Sequence, residues 1–237
     1  MSKGNVSMQF MAMFAPYFQN ANLMIGHLAA AVEAGLGSAM QLAKALAVAE
    51  NWGIGNWTAK KAIWIHSQSV TGNAILSQSY FQTDLNTPVA AGYSPLSSDG
   101  KLPSDSIALI RNIYLKYQYD ATTPAVTLTE LIHELNQLGW LDITIGKQEI
   151  KGLPLDVIGM PAPLELSSYT RTGETLGTGL TNALVSKRTK SYEFTPEYIL
   201  KANEQFKPVA KTAAAVDNVS GLTLGLGVEV TILEKGK

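Results

Sequence analysis

The most regular pattern of apolar and polar positions lies near the end of the chain. Between Leu222 and Ile232 every even position is Leu, Val or Ile, whereas the odd positions carry Thr, Gly or Glu. A period of two places successive side chains on opposite faces of a β-strand. The pattern predicts a strand with one buried face. Gly225 and Gly227 on its other face are expected to permit the close approach of a neighbouring strand or chain.

Similar segments upstream predict more strands, because they are rich in β-branched and aromatic residues. They span residues 62–66, 75–81, 107–119, 192–202 and 206–212. In the third of these the apolar residues are expected to share one face, with Arg111 as an exception; they are Ile107, Leu109, Ile113, Leu115, Tyr117 and Tyr119. Residues 140–155 predict a hairpin that turns at Gly146-Lys147.

Other segments predict a helix and several loops. Thr127 and Glu130 have the spacing of a capping box, so a short helix is expected from there to Gly139, a suitable C-terminal cap. Residues 86–105 and 170–181 are rich in Pro or Gly and predict loops. The basic residues Lys187, Arg188 and Lys190 are also expected to lie in a solvated loop.

The first fifty residues differ from the rest of the chain. No Lys, Arg, Asp or Glu occurs between Gly4 and Val32, and Ala, Met and Leu, which favour helix, are abundant. The spacing predicts a short helix followed by a longer one that begins near Asn20 or Asn22. The short helix is expected to place Met8, Met11, Phe14 and Phe18 on one side. The long helix carries two rows, one of Leu28, Val32, Leu36 and Met40 and one of the small residues Gly26, Ala30 and Ala34.

Three interpretations of this apolar arm remain open. The helices pack in a protein core or between subunits, lie on a membrane, or span one. A span is the least favoured, because Gln19, Asn20, Asn22, His27 and Glu33 are costly inside lipid. The Gly-rich segment 51–57 marks a change in composition. It divides the chain into an arm at residues 1–56 and a β-rich body at residues 57–237.

Composition narrows the choice of function. Charged residues make up 16% of the chain, below the roughly 25% of an average soluble domain, which favours a surface covered by other molecules. The net charge of −1 gives no general electrostatic reason to bind nucleic acid. The chain has no cysteine, so disulfides and thiolate metal sites are excluded. No convincing secretory signal is found, because polar residues interrupt the apolar start.

No catalytic, cofactor or metal site is expected. The three histidines, His27, His66 and His133, lie in separate predicted elements and have no metal-ligand spacing. The glycines of 35–38 and 53–55 do not complete a phosphate-binding motif and are interpreted as helix breakers. Glu130 and Glu134 share a helix face that is expected to be solvated. Trp52 and Trp57 flank the Gly-rich segment and suggest either packing between domains or a sugar-binding platform.

The body resembles the jelly-roll coat proteins of tailless, membrane-containing icosahedral phages. The residues that carry the resemblance are the strand 107–119, the segment from Phe194 to Phe206, and the closing strand that ends at 228–236. The resemblance implies eight antiparallel strands in two facing sheets, a shell built by self-assembly, and an N-terminal helical segment directed at an internal membrane. One jelly roll, rather than two fused barrels, suits the length of the body.

The leading hypothesis is therefore a mainly β protein with an antiparallel, jelly-roll-like β-sandwich and an N-terminal helical arm. It is expected to be a structural virion protein, not an enzyme. Its expected partners are copies of itself and other capsid proteins, with an internal membrane as an alternative partner of the arm. Deletion of residues 1–50 is expected to raise solubility and abolish assembly. The alternatives are a carbohydrate-binding or adhesion module of a tail or surface appendage, and an enzyme of unfamiliar type.

Overall fold

A computed structural model describes residues 8–53, 56–70, 75–82, 92–121, 128–159, 167–171, 182–188, 191–216 and 222–236. Side chains are described for these residues except 118–121, 128–131, 159, 167–171 and 182–188. The helices are α1 Met8–Phe14, α2 Ala21–Glu33, α3 Ala39–Ala49, α4 Leu128–Leu138 and α5 Leu155–Gly159. Short 3₁₀ turns follow α1 at Ala15–Tyr17 and α3 at Glu50–Trp52.

The protein is mainly β. Its strands are β1 Trp57–Ser69, β2 Ile75–Ser79, β3 Gly92–Tyr93, β4 Ser106–Ala121, β5 Gly139–Ile145, β6 Gln148–Pro154, β7 Ser167–Arg171, β8 Asn182–Arg188, β9 Tyr192–Leu200, β10 Phe206–Ala215 and β11 Leu222–Lys235. Every predicted strand is present, and most are longer than their apolar cores suggested. The hairpin β5–β6 turns at Gly146, whose φ of +59° suits glycine, as expected.

The strands form two antiparallel sheets. The first, sheet A, has the order β3-β1-β11-β4-β8-β7, and β9 also pairs with the long strand β4. The second, sheet B, has the order β2-β10-β5-β6. Within the described residues, β4 is thus shared along its length, with β9 beside its first half and β8 beside its second half.

Side chains from both sheets meet in one core. Trp64, Leu115 and Val228 of sheet A pack in the same cluster as Leu141 and Phe206 of sheet B. All the even positions from Leu222 to Ile232 are at most 2% exposed, which confirms the buried face predicted for the last strand. The helices α4 and α5 add Leu135 and Leu155 to this core.

The helices α1–α3 cover part of the opposite face of sheet A. Ile107, Leu109 and Leu233 on that face are fully buried in a second cluster with residues of the arm, including Met24, Leu28 and Leu46. The hydroxyl of Thr231 in β11 donates a hydrogen bond to the carbonyl of Leu36, just after α2. These arm residues therefore pack in a core formed by the same chain, which agrees with the first of the three interpretations of the arm.

A β-bulge at Arg111 allows β4 to contribute side chains both to the core between the sheets and to the cluster beneath the arm. In the register with β11, Ile110 pairs with Val230 and Asn112 with Glu229, so Arg111 has no partner there; the register with β9 skips it as well. An extra residue reverses the face to which the following side chains point. The expectation that Ile107 and Leu109 share a face with Ile113 and Leu115 is therefore wrong: the first two face the arm and the last two face the core between the sheets.

The arm contains three described helices where two were expected. Gly35, with φ of +65°, ends the second helix, and α3 starts after Ser38, which agrees with the interpretation of Gly35 as a helix breaker. The row predicted from Leu28 to Met40 does not lie on one helix, because α2 ends at Glu33; the buried residues of α2 are Met24, Ile25, Leu28 and Ala31. The break at Gly35 places Met40 on a different helix, where it is 39% exposed.

All three predicted loops contain strand residues. The loop predicted for residues 86–105 includes β3 Gly92–Tyr93, and its residues 86–91 lie outside the described part. Lys187 and Arg188 belong to β8 rather than to a loop, while Lys190 lies outside the described residues. Thr170 and Arg171 belong to β7, and the rest of the predicted loop to residue 181 is outside the described residues. The helix expected from the capping box is confirmed as α4, although Thr127 itself is outside the described part.

Candidate interaction surfaces

The three histidines do not come together. His27 lies on α2, with its ring centroid 5.3 Å from that of Trp57 in an edge-on arrangement. His66 is buried in β1, and His133 is exposed on α4 beside the amide of Gln137. Among the residues that the structure describes, no group of three or more His, Asp or Glu side chains could hold a metal ion.

The ring of His66 holds a strained turn. Its Nδ1 accepts a hydrogen bond of 2.7 Å from the backbone N–H of Phe81, so the neutral ring carries its proton on Nε2. Phe81 has φ of +58°, a conformation that costs a non-glycine residue about 1–3 kcal/mol. Both residues are almost fully buried, and their rings lie 5.8 Å apart. Burial without a counter-ion lowers the pKa of His66.

Trp52 and Trp57 do not form an open platform. Both are half-buried and pack against the cluster between the arm and sheet A. The indole N–H of Trp57 is buried and has no hydrogen-bond partner among the described residues. Packing between arm and body, the other interpretation of the pair, accounts for both side chains. This arrangement gives no support to the sugar-binding alternative.

Gly225 and Gly227 permit a close approach, as expected. The aromatic ring of Tyr114 on the adjacent strand β4 lies directly over Gly227, so a Cβ atom there would overlap it. A Cβ atom at Gly225 would lie 2.7 Å from the hydroxyl of Ser67 on β1. The neighbour that approaches is therefore the same chain, on both sides of β11.

The outer surface of the arm remains apolar. Met8, Met13 and Leu23 are 87%, 60% and 58% exposed, respectively. The small residues Gly26 and Ala30 on α2, and Ala34 directly after it, are also exposed. We call these six residues the outer arm surface. No charged side chain occurs between Gly4 and Val32. Contact with another apolar surface is therefore more favourable for this surface than contact with water.

A cleft of about 500 Å³ opens between α3, the β5–β6 turn and the end of β9. Each of these regions supplies one lysine to its lining: Lys44, Lys147 and Lys201. Glu197 and Glu204 also line the cleft. Sequence reasoning missed this group, because its members are spread over nearly 160 positions of the chain and share no motif. We call it the lysine cleft.

Both carboxylates of the lysine cleft are engaged by other groups. Glu197 accepts hydrogen bonds from the backbone N–H and the hydroxyl of Ser38, at 2.8 and 2.6 Å. Glu204 accepts one of 2.8 Å from the backbone N–H of Lys201. Burial works to raise the pKa of Glu197, but the bonds from Ser38, a backbone hydrogen bond of Glu197 itself and the charge of Arg111 together outweigh it and lower that pKa.

Comparison with known proteins identifies no family. No protein-family model matches the sequence, and no curated protein matches it either. Among the described helices none combines the length and the apolar character needed to cross a membrane. The resemblance to phage coat proteins thus stays a prediction.

Proposed function

We propose that this protein is a structural virion protein with a jelly-roll body, and that copies of it assemble into or onto an icosahedral shell. The observation that carries the proposal is the nested pairing of eight strands. Without β3, β7 and β8, the first strand pairs with the last, β1 with β11, and the second with the second last, β2 with β10. The third and sixth, β4 and β9, pair in the same way, as do the middle two, β5 and β6.

A long antiparallel hairpin that folds over into two sheets produces this nested pairing. The pairs β11–β4 and β10–β5 then join the halves of each sheet. Such an arrangement supports a jelly roll, a two-sheet fold that occurs in viral capsid and lectin domains. The fold alone does not choose between these functions, so the choice depends on the surface.

The outer arm surface favours assembly. Exposed Met and Leu side chains on a segment without charge gain free energy when a second molecule covers them, by about 25 cal/mol per Å² of apolar area. Exposed small residues at a spacing of four on α2 would permit close packing of a helix from another copy. We assign this surface to contacts between copies of the chain.

A lipid surface is the weaker candidate for the same contact. Helices that lie on membranes commonly carry Lys or Arg on their polar face, which anionic lipids attract. The helices α1 and α2 carry neither residue. A neighbouring copy therefore fits the composition of the arm better than a charged bilayer does.

The proposal predicts large oligomers that depend on the outer arm surface. The full chain is expected to form shells or other large particles in electron micrographs, with a matching mass by light scattering. The double variant Met13→Glu/Leu23→Glu places two charges on that surface and should shift the protein to small species. Circular dichroism checks that the variant remains folded.

A matched control separates this surface from general surface charge. The double variant Ile75→Glu/Val157→Glu makes the same change at exposed apolar residues outside the arm, which are 64% and 46% exposed. It should still assemble. A monomeric wild-type protein at micromolar concentration, or equal loss of assembly in both variants, would refute the proposal. Flotation of the wild type with lipid vesicles, without oligomers, would assign the surface to a membrane instead.

A further inference from the structure

We propose that the lysine cleft is a binding site for a compact molecule that carries several phosphate groups. Its lysines come from three separate parts of the fold: Lys44 from α3, Lys147 from the β5–β6 turn, and Lys201 from the end of β9. With Glu197 and Glu204 in the same lining, the lysine cleft carries three positive and two negative side chains, and this excess of positive charge favours an anion as the ligand.

No carboxylate within the described part of the chain forms an ion pair with these lysines. None of the three ammonium groups has a carboxylate oxygen within 4.0 Å there, whereas Lys60, Lys151 and Lys211 each have one within 3 Å. The two carboxylates that line the lysine cleft are hydrogen-bonded to Ser38 and to the backbone of Lys201. Glu197 and Glu204 are thus held by other donors, which leaves the lysine heads available to a ligand.

The side-chain types suit a phosphate group. In the described part of the chain the cationic side chains that line the lysine cleft are lysines. Lysine acts as a mobile point charge that suits the several oxygens of a phosphate group. The amides of Gln41 and Gln148 and the hydroxyl of Tyr198 line the same space and add neutral hydrogen-bond donors.

The size of the cleft also fits a small ligand. A volume of about 500 Å³ lies within the usual range for small-molecule sites, about 300–1,000 Å³. Part of the lining is apolar, from Val48, Ile145, Pro196 and Ile199, so the ligand can carry an uncharged portion next to its phosphates. Such a phosphate group comes either from a soluble molecule or from a lipid headgroup.

Titration calorimetry with tripolyphosphate on the full chain tests the site. We expect saturable binding of one molecule per chain that weakens as salt is raised. The variant Lys147→Gln/Lys201→Gln should bind about tenfold more weakly, because each exposed charge contributes a modest share of the affinity. Both lysines are exposed, so the variant should keep the thermal unfolding midpoint of the wild type. Lys44→Gln provides a second variant if that double variant is unstable.

The control variant Lys60→Gln/Lys151→Gln removes the same charge from exposed lysines outside the cleft and should bind within about twofold of the wild type. No binding at millimolar tripolyphosphate, or equal weakening in both double variants, would overturn the proposal. Citrate that binds as tightly as tripolyphosphate would overturn the assignment to phosphate. Vesicles that contain phosphatidylinositol bisphosphate, compared with the soluble ligand, distinguish the two sources: tighter binding to vesicles supports a headgroup, and tighter binding in solution supports a free phosphate.

Discussion

His66 joins β1 to Phe81, the second residue after β2, and its charge state matters for stability. Its Nδ1 must stay unprotonated to accept the N–H of Phe81. The facing groups are the amide of Gln68 and the rings of Tyr80 and Phe81, so none of these neighbours carries a negative charge that would balance an imidazolium ion. Burial raises the pKa of Tyr80, which keeps its hydroxyl neutral as well.

The protein is expected to lose stability as pH falls below about 6.5. The pKa of His66 is lowered in the folded state, so the unfolded chain takes up the proton first, near its usual pKa of about 6.5. The stabilising contribution is complete above that pH and is lost as pH falls towards the folded-state pKa. Urea unfolding at pH 8 and pH 5 should show this loss in the wild type.

The variants His66→Gln and His133→Gln isolate the effect. The first should be less stable at pH 8 but show a smaller loss between the two pH values, because glutamine does not titrate. The second changes an exposed histidine and should follow the wild type. An unchanged pH dependence in His66→Gln would show that the buried ring is not the titrating group.

Gly227 gives a second prediction at this scale. Its missing side chain makes room for the ring of Tyr114, so Gly227→Ala forces that buried ring to move and should cost about 1–3 kcal/mol in the free energy of unfolding. Gly26→Ala is the control, since no atom lies within 4 Å of the added methyl and alanine favours helix by about 0.5–1 kcal/mol. Denaturant unfolding measures both. A neutral Gly227→Ala would mean that β4 and β11 adjust freely at this point.

At the scale of elements, two carboxylates hold the arm helices in place, Glu50 from within the arm and Glu197 from the body. Glu50 accepts the backbone N–H groups of Gln19 and Asn20 where α2 begins, at 3.0 and 2.6 Å. Glu197 of β9 accepts both donors of Ser38 where α3 begins. A negative charge at a helix N-terminus is stabilised by the helix dipole and the free N–H groups.

The attachment through Glu197 is expected to weaken in acid. Its pKa is lowered in the folded protein, so the contribution is present above the unfolded pKa of about 4.3 and is lost as pH falls further. Glu197→Gln should cost about 1 kcal/mol at neutral pH, similar to the loss of a helix cap. Hydrogen exchange in α3 should become faster. Glu193→Gln, an exposed residue of the same strand, serves as the control, and equal exchange in both would contradict the role of Glu197.

The elements differ in how far their sequences specify them. The strand β11 and the hairpin β5–β6 follow from local alternation and turn chemistry, so both were predictable. The divided role of β4 was not, because a bulge at Arg111 depends on register with β11 and β9 rather than on local pattern. The lysine cleft could not be predicted from the sequence either, because its members come together only when α3, β5 and β9 pack against one another.

At the scale of the whole molecule, the arm is a second layer on sheet A. Removal of residues 1–50 would expose Ile107, Leu109 and Leu233, all fully buried beneath it. We therefore expect the deletion to lower solubility, contrary to the expectation from sequence alone. Soluble yield and the binding of a hydrophobic dye measure the effect. A soluble, well-folded deletion product would show that this layer is dispensable.

Two point variants test the same layer without removing it. Leu28 is fully buried in the cluster, whereas Leu23 on the same helix is 58% exposed. Leu28→Ser should lower the free energy of unfolding by about 2–5 kcal/mol, in the range of large-to-small changes in a core, and Leu23→Ser should change it little. Equal effects would argue against the packing of α2 on the sheet.

The bulge at Arg111 has a consequence for inherited variation. Loss of that single codon would leave the reading frame intact, yet it would restore strict alternation through the middle of β4. Either the side chains of residues 107–110 or those of Asn112 and the following residues would then have to point to the opposite face of the sheet. A deletion of one residue would therefore prevent β4 from packing correctly in both hydrophobic clusters at once. Replacement of the arginine by another residue would keep the bulge and both sets of contacts.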